Sequence, residues 1–307
     1  MFSDLLLINT LLKSYREKMK IIMIDAFKPE YFEYAPYLSS LTKRFQWGEL
    51  EMPIGHEGGV EVVFKGSSDK LALFYKKKNS SLKFLKYLTF LEGFGKAGRF
   101  VIDSLVNFPR FLKRYELFRT GNIPLKQLCK VEFSVNKPFY KMKGIEYTSF
   151  GDLDKIAHKY GTKSEETIKA IRELDKKISK IHFDILFSDH GMMDIHKKIS
   201  VPVTDDCFID SDMARYWGEK PKFSSKDGKW INWKDKKYGE HIFLANPGVL
   251  IFPNYWQGKI PVKAMHGYDG KNPELKGIYI AKRSGSKKNI KPEELNRIIK
   301  EMFYNGK

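Results

Sequence analysis

Short apolar runs bounded by polar residues recur along this chain, and two of them end on an acid. Lys20-Ile-Ile-Met-Ile-Asp25 is one, and Asp184-Ile-Leu-Phe-Ser-Asp189 is the other. Both are too brief for a helix and read as buried strands. Residues 248–253 look like a further strand, and Gly277-Ile-Tyr-Ile-Ala281 like a closing one. Between them the spacing turns helical. Ile168, Ile171, Leu174, Ile178 and Ile181 share one face of a helix predicted over 162–181, with Thr162 or Ser164 as its start and Glu165 and Glu166 in its first turn. Residues 37–44 and 292–303 are also predicted helices, the last with proline in its first turn. With 307 residues there is ample core for one large α/β domain or two small ones. Residues 201–217 are mixed, and 223–238 are polar apart from Trp230 and Trp233.

The pattern changes between about residues 76 and 143. Lys76-Lys-Lys78 opens a stretch dense in Phe, Leu, Tyr and basic residues, broken by Pro109, Pro124 and Pro138. Phe84, Leu85, Leu88 and Leu91 have helical spacing, with Lys83, Lys86 and Tyr87 between them. Such a stripe packs a helix on its own domain, or lays a basic amphipathic cap on a membrane or over a lipid-like substrate. The expected organisation is an N-terminal extension over 1–18, a main domain formed by 19–75 and 144–307, and a basic, aromatic-rich helical cap inserted at 76–143.

Composition adds one anomaly, a formal charge of +18. Much of the excess is lysine, a solvated point charge rather than the planar fork that reads bases, so specific nucleic-acid recognition is not expected. The charge itself suits an anionic substrate, an anionic membrane surface or nucleic acid, and alone does not choose among them. The two cysteines, Cys129 and Cys207, form no metal-like pairing, and a reducing, cytoplasmic setting is expected, with peripheral membrane contact as a further possibility. No run approaches the roughly 20 apolar residues of a membrane span. The apolar stretch in residues 1–12 follows Asp4 and lacks a small-residue cleavage site, which makes it a poor signal peptide.

The chemistry concentrates where strands end. Asp189-His190-Gly191 follows a buried strand, at the position where α/β sheets keep their ligands. Carboxylate and imidazole both reach one cation if the chain turns sharply, which Gly191 is expected to allow. The plainer alternative is a capping acid beside a satisfied histidine. Asp25 ends the other strand, and Asp154 and His158 are four apart, on one face of a helical turn. With His266, in the turn Met265-His-Gly-Tyr-Asp269, they make three carboxylates and three imidazoles. Such a set suits a pair of divalent ions, and mixed nitrogen and oxygen donors favour zinc, manganese or iron over calcium. Two ions a few Å apart clamp the oxygens of a phosphoryl transfer. His182, His196 and His241 read as surface or core residues, His196 being the nearest in sequence to the motif. Pro53-Ile-Gly-His-Glu-Gly-Gly59 is either a flexible loop or a turn that aims backbone N–H groups at an anion.

Residues 21–25, 153–161, 188–192 and 265–269 together resemble, in the right order, the four metal motifs of the alkaline phosphatase superfamily, closest to its type I phosphodiesterase/nucleotide pyrophosphatase branch. Asp210-Ser-Asp-Met-Ala-Arg215 and Pro273-Glu-Leu-Lys-Gly277 are weaker echoes. The resemblance covers about residues 19–75 and 146–282. It implies a three-layer α/β/α sandwich with a central, mostly parallel sheet. It also implies one metal on Asp154, His158 and His266 and another on Asp25, Asp189 and His190, zinc first among the candidates. The implied activity is hydrolysis of an anionic phosphate ester such as a nucleotide, nucleotide-sugar or glycan or lipid phosphate, with Gly58 and Gly59 binding substrate.

One departure stands out. The family's Thr or Ser nucleophile slot falls on His56, next to Glu57, and no Thr or Ser lies between Thr42 and Ser67. His56 is therefore the expected nucleophile. The alternatives are a metal-bound water that it positions, or Ser67 and Ser68. Neither cysteine occupies the slot of the sulfatases' modified cysteine. The competing expectation is a catalytically impaired, metal-binding homologue held to a membrane or polyanion by its basic cap.

Overall fold

The computed structural model describes residues 18–115, 117, 119–134 and 144–305. The expected N-terminal extension, save its last residue, and the end of the expected cap with Pro138 lie outside the described residues.

A five-stranded sheet organises the chain. Its strands are β1 (Met19–Ile24), β2 (Gln46–Leu50), β3 (Ile145–Phe150), β4 (Ile185–Ser188) and β5 (Gly277–Ala281), in the order β2-β5-β4-β1-β3. β1 runs parallel to both β3 and β4, whereas β5 runs antiparallel to β4 and β2. Four strands thus share one direction, the mostly parallel arrangement that the resemblance implies. β1 and β4 are buried on both faces, which explains why they read as unbroken apolar runs. In register Ile24 lies opposite both Phe150 and Ser188, so three strands end level with one another.

Alternation along the strands divides the core into two layers. Ile21, Met23, Ile185, Phe187 and Tyr279 pack with Val63 and Phe64 of α2 (Gly58–Lys65) and with Leu295 and Ile299 of α6 (Pro292–Asn305). The residues between them, Ile22, Ile24, Leu186, Ile278 and Ile280, pack the other way. They meet Leu38 of α1 (Pro36–Thr42), Leu153 of α4 (Asp152–Tyr160) and Ile171 and Ile178 of α5 (Glu165–Ile178). Ser164 caps α5 by accepting a hydrogen bond from the Thr167 amide, so the later of the two candidate starts is the one used.

Residues 201–245, mixed or polar in sequence, contain a second, antiparallel sheet of four strands: Cys207–Ile209, Met213–Tyr216, Gly228–Ile231 and His241–Ala245. One of its sides joins the cluster that includes Leu85, Ile102 and Val106 of the insertion, and Met213, Ile242 and Leu244 on the other pack with Leu71 and Tyr238. The insertion is tied at its base by an antiparallel pair, Phe74–Lys76 with Val131–Phe133. It carries a 3-10 helix, Lys83–Phe94, and α3 (Gly95–Leu112). The predicted stripe divides there: Leu85 is buried, Leu88 and Leu91 are partly buried, and Phe84 turns outward.

Candidate active site

The level ends of β1, β3 and β4 deliver Asp25, the start of α4 and Asp189 to one edge of the sheet. The turns beyond β1 and β4 are laced together. Ser188 Oγ accepts the Phe27 amide at 2.8 Å and donates to the His190 carbonyl at 2.8 Å. Ala26 adopts a left-handed φ of 64°, which swings the chain away directly after Asp25. Gly191 serves otherwise than its sequence suggests. It has no left-handed φ; a Cβ there would collide with the carbonyl oxygens of Glu274 and Lys276. Close approach of two backbones, rather than a sharp turn, requires glycine.

Two imidazoles are oriented in the same way. His158 Nδ1 donates to the Ala264 carbonyl at 2.7 Å, and His190 Nδ1 donates to the Gly191 carbonyl at 2.9 Å. Each bond occupies Nδ1 and leaves Nε2 facing carboxylates. His158 Nε2 lies 3.2 Å from Asp154 Oδ1. His190 Nε2 lies 3.3 Å from Asp25 Oδ1 and 3.7 Å from Asp189 Oδ2. His266 stacks on His190 with ring centroids 3.7 Å apart, and its Nε2 is 3.7 Å from Asp154 Oδ1. His56 stands edge-on to His266, with centroids 4.9 Å apart.

All six ligand candidates are therefore gathered at one edge. Asp25, Asp189 and His190 form one compact group of donors, with ligand atoms within 4.8 Å of one another. The second such group is Asp154, His190 and His266. His190 thus borders both groups, and His158 stands alongside, against Asp154. Several donors have nothing else to do. Asp154 Oδ1, Asp189 Oδ1 and His266 Nδ1 are buried and make no hydrogen bond. Leaving a buried polar atom unsatisfied costs roughly 1–3 kcal/mol. Convergent, unsatisfied carboxylate and imidazole atoms fit divalent cations with mixed oxygen and nitrogen ligation.

The charges strain one another. Burial, then the neighbouring Asp25 and Asp154, push the Asp189 carboxyl up to about 7 against the pull of His190. Burial pulls His190 down, but Asp189, Asp25 and Asp154 outweigh it and raise the imidazole to about 10. His266 is driven well below its usual range by burial and by the other three imidazoles, His190, His56 and His158. Asp154 is lowered because His158 and the other imidazoles outweigh its burial.

His56 enters from the turn before α2. Its Nε2 is 2.8 Å from Asp212 Oδ1, and Asp212, itself fully buried, keeps a second oxygen without a hydrogen bond. Burial lowers the His56 pKa, and the Asp212 charge and hydrogen bond more than reverse that. Gly267, with a φ of 92°, makes room for the pair, since a Cβ would collide with the His56 ring and Asp212 Oδ2. Asp212 lies inside the echo Asp210–Arg215, and its signal in the sequence was an acid set between two apolar segments. The first turn of α2 reaches the same pocket: Gly59 lines it with His56, Asp189 and His190. Of the other hydroxyls considered, Ser68 donates to Glu61 at 2.7 Å, and neither it nor Ser67 lines that pocket. His182, His196 and His241 lie outside both ligand groups.

A cleft of about 460 Å³ opens beside Asp154, His158 and His56. Leu73, Trp256, Val262 and Met265 give it apolar walls, and Lys155 and Gln257 add polar groups.

Residues 135–263 match the model of the family described as type I phosphodiesterase / nucleotide pyrophosphatase. The fold is similar to that of murine ectonucleotide pyrophosphatase / phosphodiesterase 5, solved as an inactive threonine-to-alanine variant in complex with AMP. The TM-score is 0.65 at 14% identity, over 94% of this chain and 95% of that one. A second structure of the murine protein gives 0.64 at 13% identity, and the human protein gives 0.62 at 13%, each with the same coverage. No curated protein matches the chain in sequence.

Proposed function

We propose that the chain is a member of the alkaline phosphatase superfamily, on its type I phosphodiesterase/nucleotide pyrophosphatase branch, and that it hydrolyses phosphoric esters at a two-metal centre. One observation carries the reading: three acids and three imidazoles meet at the sheet edge with several donor atoms left unsatisfied. Two divalent cations, zinc before manganese or iron, would supply Lewis acidity and neutralise charge on the phosphoryl oxygens. Asp25, Asp189 and His190 would hold one, and Asp154 and His266, with His158 alongside, the other.

The chain's own groups complete the chemistry. Backbone N–H groups at the start of α2, at Gly58 and Gly59, have no helical acceptor and suit the phosphoryl oxygens. Asp212, by accepting from His56 Nε2, leaves the lone pair on Nδ1, so that His56 either attacks phosphorus and expels the ester's alcohol oxygen, water then cleaving the phosphohistidine, or takes the proton of a water that expels that oxygen directly. The cleft beside Trp256 takes the organic part of an anionic ester such as a nucleotide, nucleotide-sugar or glycan or lipid phosphate. AMP in the murine neighbour makes nucleotide esters the first to try.

A screen of phosphomonoesters, diesters and nucleotide-sugars, run with zinc or manganese and again after chelation, tests the proposal. Metal-dependent release of phosphate or nucleoside monophosphate is expected. A metal-loaded protein inert on every class would overturn it. That result would support the second reading, a binding homologue without turnover, which the histidine in the nucleophile slot favours.

A further inference from the structure

The insertion's outward face is apolar where the fold does not require it. In the 3-10 helix Lys83–Phe94 every third residue shares an edge. Leu82, Leu85, Leu88 and Leu91 form the edge packed on the domain. Phe84, Tyr87 and Phe90 form a second edge, and Tyr87 is 73% exposed. α3 repeats the division. Ile102 and Val106 are buried, while Phe100, Val101, Leu105, Phe108, Phe111 and Leu112 spread over the other side, with Phe100 73%, Phe108 63% and Phe111 67% exposed. Scattered exposed hydrophobics need no explanation, but a contiguous aromatic face marks a docking surface.

Charge selects the partner. Residues 76–114 hold seven lysines and three arginines against two acids, Glu92 and Asp103. Both acids are occupied within the protein. Glu92 accepts the Leu125 amide and pairs with Arg99, and Asp103 accepts both the amide and the hydroxyl of Thr120. What remains outward, including Lys83, Lys86, Lys96 and Lys113, is cationic and exposed. α3 spans about 27 Å at 1.5 Å per residue, yet no helix among the described residues is apolar enough to cross a membrane. A helix with such an aromatic side and a basic surround lies flat at a lipid headgroup boundary.

We propose that the face made by the 3-10 helix and α3 docks on the surface of an anionic bilayer, with Phe100, Phe108 and Phe111 entering the headgroup region and the lysines facing anionic lipid. The docking face is joined to the cleft wall. Arg99 Nη1 donates to the Ile123 carbonyl, and the adjacent Asn122 amide donates to the carbonyl of Tyr255, next to Trp256.

Flotation of the full chain tests this, with vesicles of phosphatidylcholine alone and of phosphatidylcholine mixed with phosphatidylglycerol. The protein should float with the mixed vesicles and far less with the neutral ones. Raising salt from about 0.1 to 1 M, which shortens the screening length from about 10 to 3 Å, should release much of it. Phe100→Ser/Phe108→Ser/Phe111→Ser should lower the bound fraction roughly tenfold or more at unchanged melting temperature. Lys96→Glu/Lys113→Glu should weaken binding to the mixed vesicles alone. Absence of flotation with either vesicle, or a triple variant that floats like the parent, would overturn the proposal. So would equal, salt-indifferent binding to both lipids. A dimer that the triple variant dissolves, seen without flotation, would also overturn it and assign the face to a second copy of the chain.

Discussion

His56 and Asp212 meet through a 2.8 Å hydrogen bond across 156 residues of chain, one from the turn before α2 and the other from the turn joining two strands of the second sheet. Asp212 is wholly buried, and its other oxygen makes no hydrogen bond. An acid in that state fixes the tautomer and orientation of its imidazole. Asp212→Asn should therefore lower turnover by about 10²–10⁴-fold, the range for a lost acid–base contribution, and leave metal content unchanged. Steady-state rates on a substrate from the screen, beside elemental analysis, check it. An unchanged rate would remove the pair from the mechanism.

His56→Ala separates the two roles proposed for that residue. A nucleophile should be indispensable and leave a phosphohistidine that survives an acid-free quench. A base should leave a residual rate and no phosphorylated protein. Phosphate-trap mass spectrometry of rapidly quenched wild-type enzyme distinguishes them.

Much of this site is legible in the sequence because β1 and β4 are buried on both faces, so their apolar runs are unbroken and the acids that end them stand out. Asp154 and His158 are visible for a similar reason, a four-residue step on one helix. Asp212 was harder to see. Its chain neighbours Asp210 and Arg215 interrupt the apolar pattern, and only the fold shows that Arg215 is buried and bonded through Nε to Asp210 Oδ2 at 2.9 Å. The outward face of the insertion was obscured by its period. Two apolar edges of a 3-10 helix, interleaved at a spacing of three, read in sequence as one dense apolar stretch.

Arg215 supplies a stability prediction. Its guanidinium is fully buried and also donates to the Phe74 carbonyl, so removing Asp210 leaves an uncompensated charge in the core. Asp210→Ala should cost about 3–5 kcal/mol of unfolding free energy. Denaturant unfolding measures it, and a loss below about 1 kcal/mol would show that the remaining carbonyl contacts suffice.

Glu61 gives a pH dependence. Burial alone would raise its carboxyl, but hydrogen bonds from Lys65 and Ser68 and the charge of Lys70 hold it below the usual 4.5. A lowered folded-state value means that the stabilisation is complete above pH 4.5 and disappears as the pH falls through the folded value. Glu61→Gln should therefore destabilise the protein at neutral pH and flatten the decline in melting temperature below pH 4.5. Parallel curves for the two proteins would contradict this.

Hydrolysis of a phosphodiester after chelation, followed as zinc is returned stepwise, tests the central claim most directly. The account predicts negligible activity in the stripped protein and a rise that saturates near two equivalents per chain, with Asp189→Ala failing to recover under the same titration. Activity that survives chelation, or two tightly bound equivalents without hydrolysis of any ester, would contradict it.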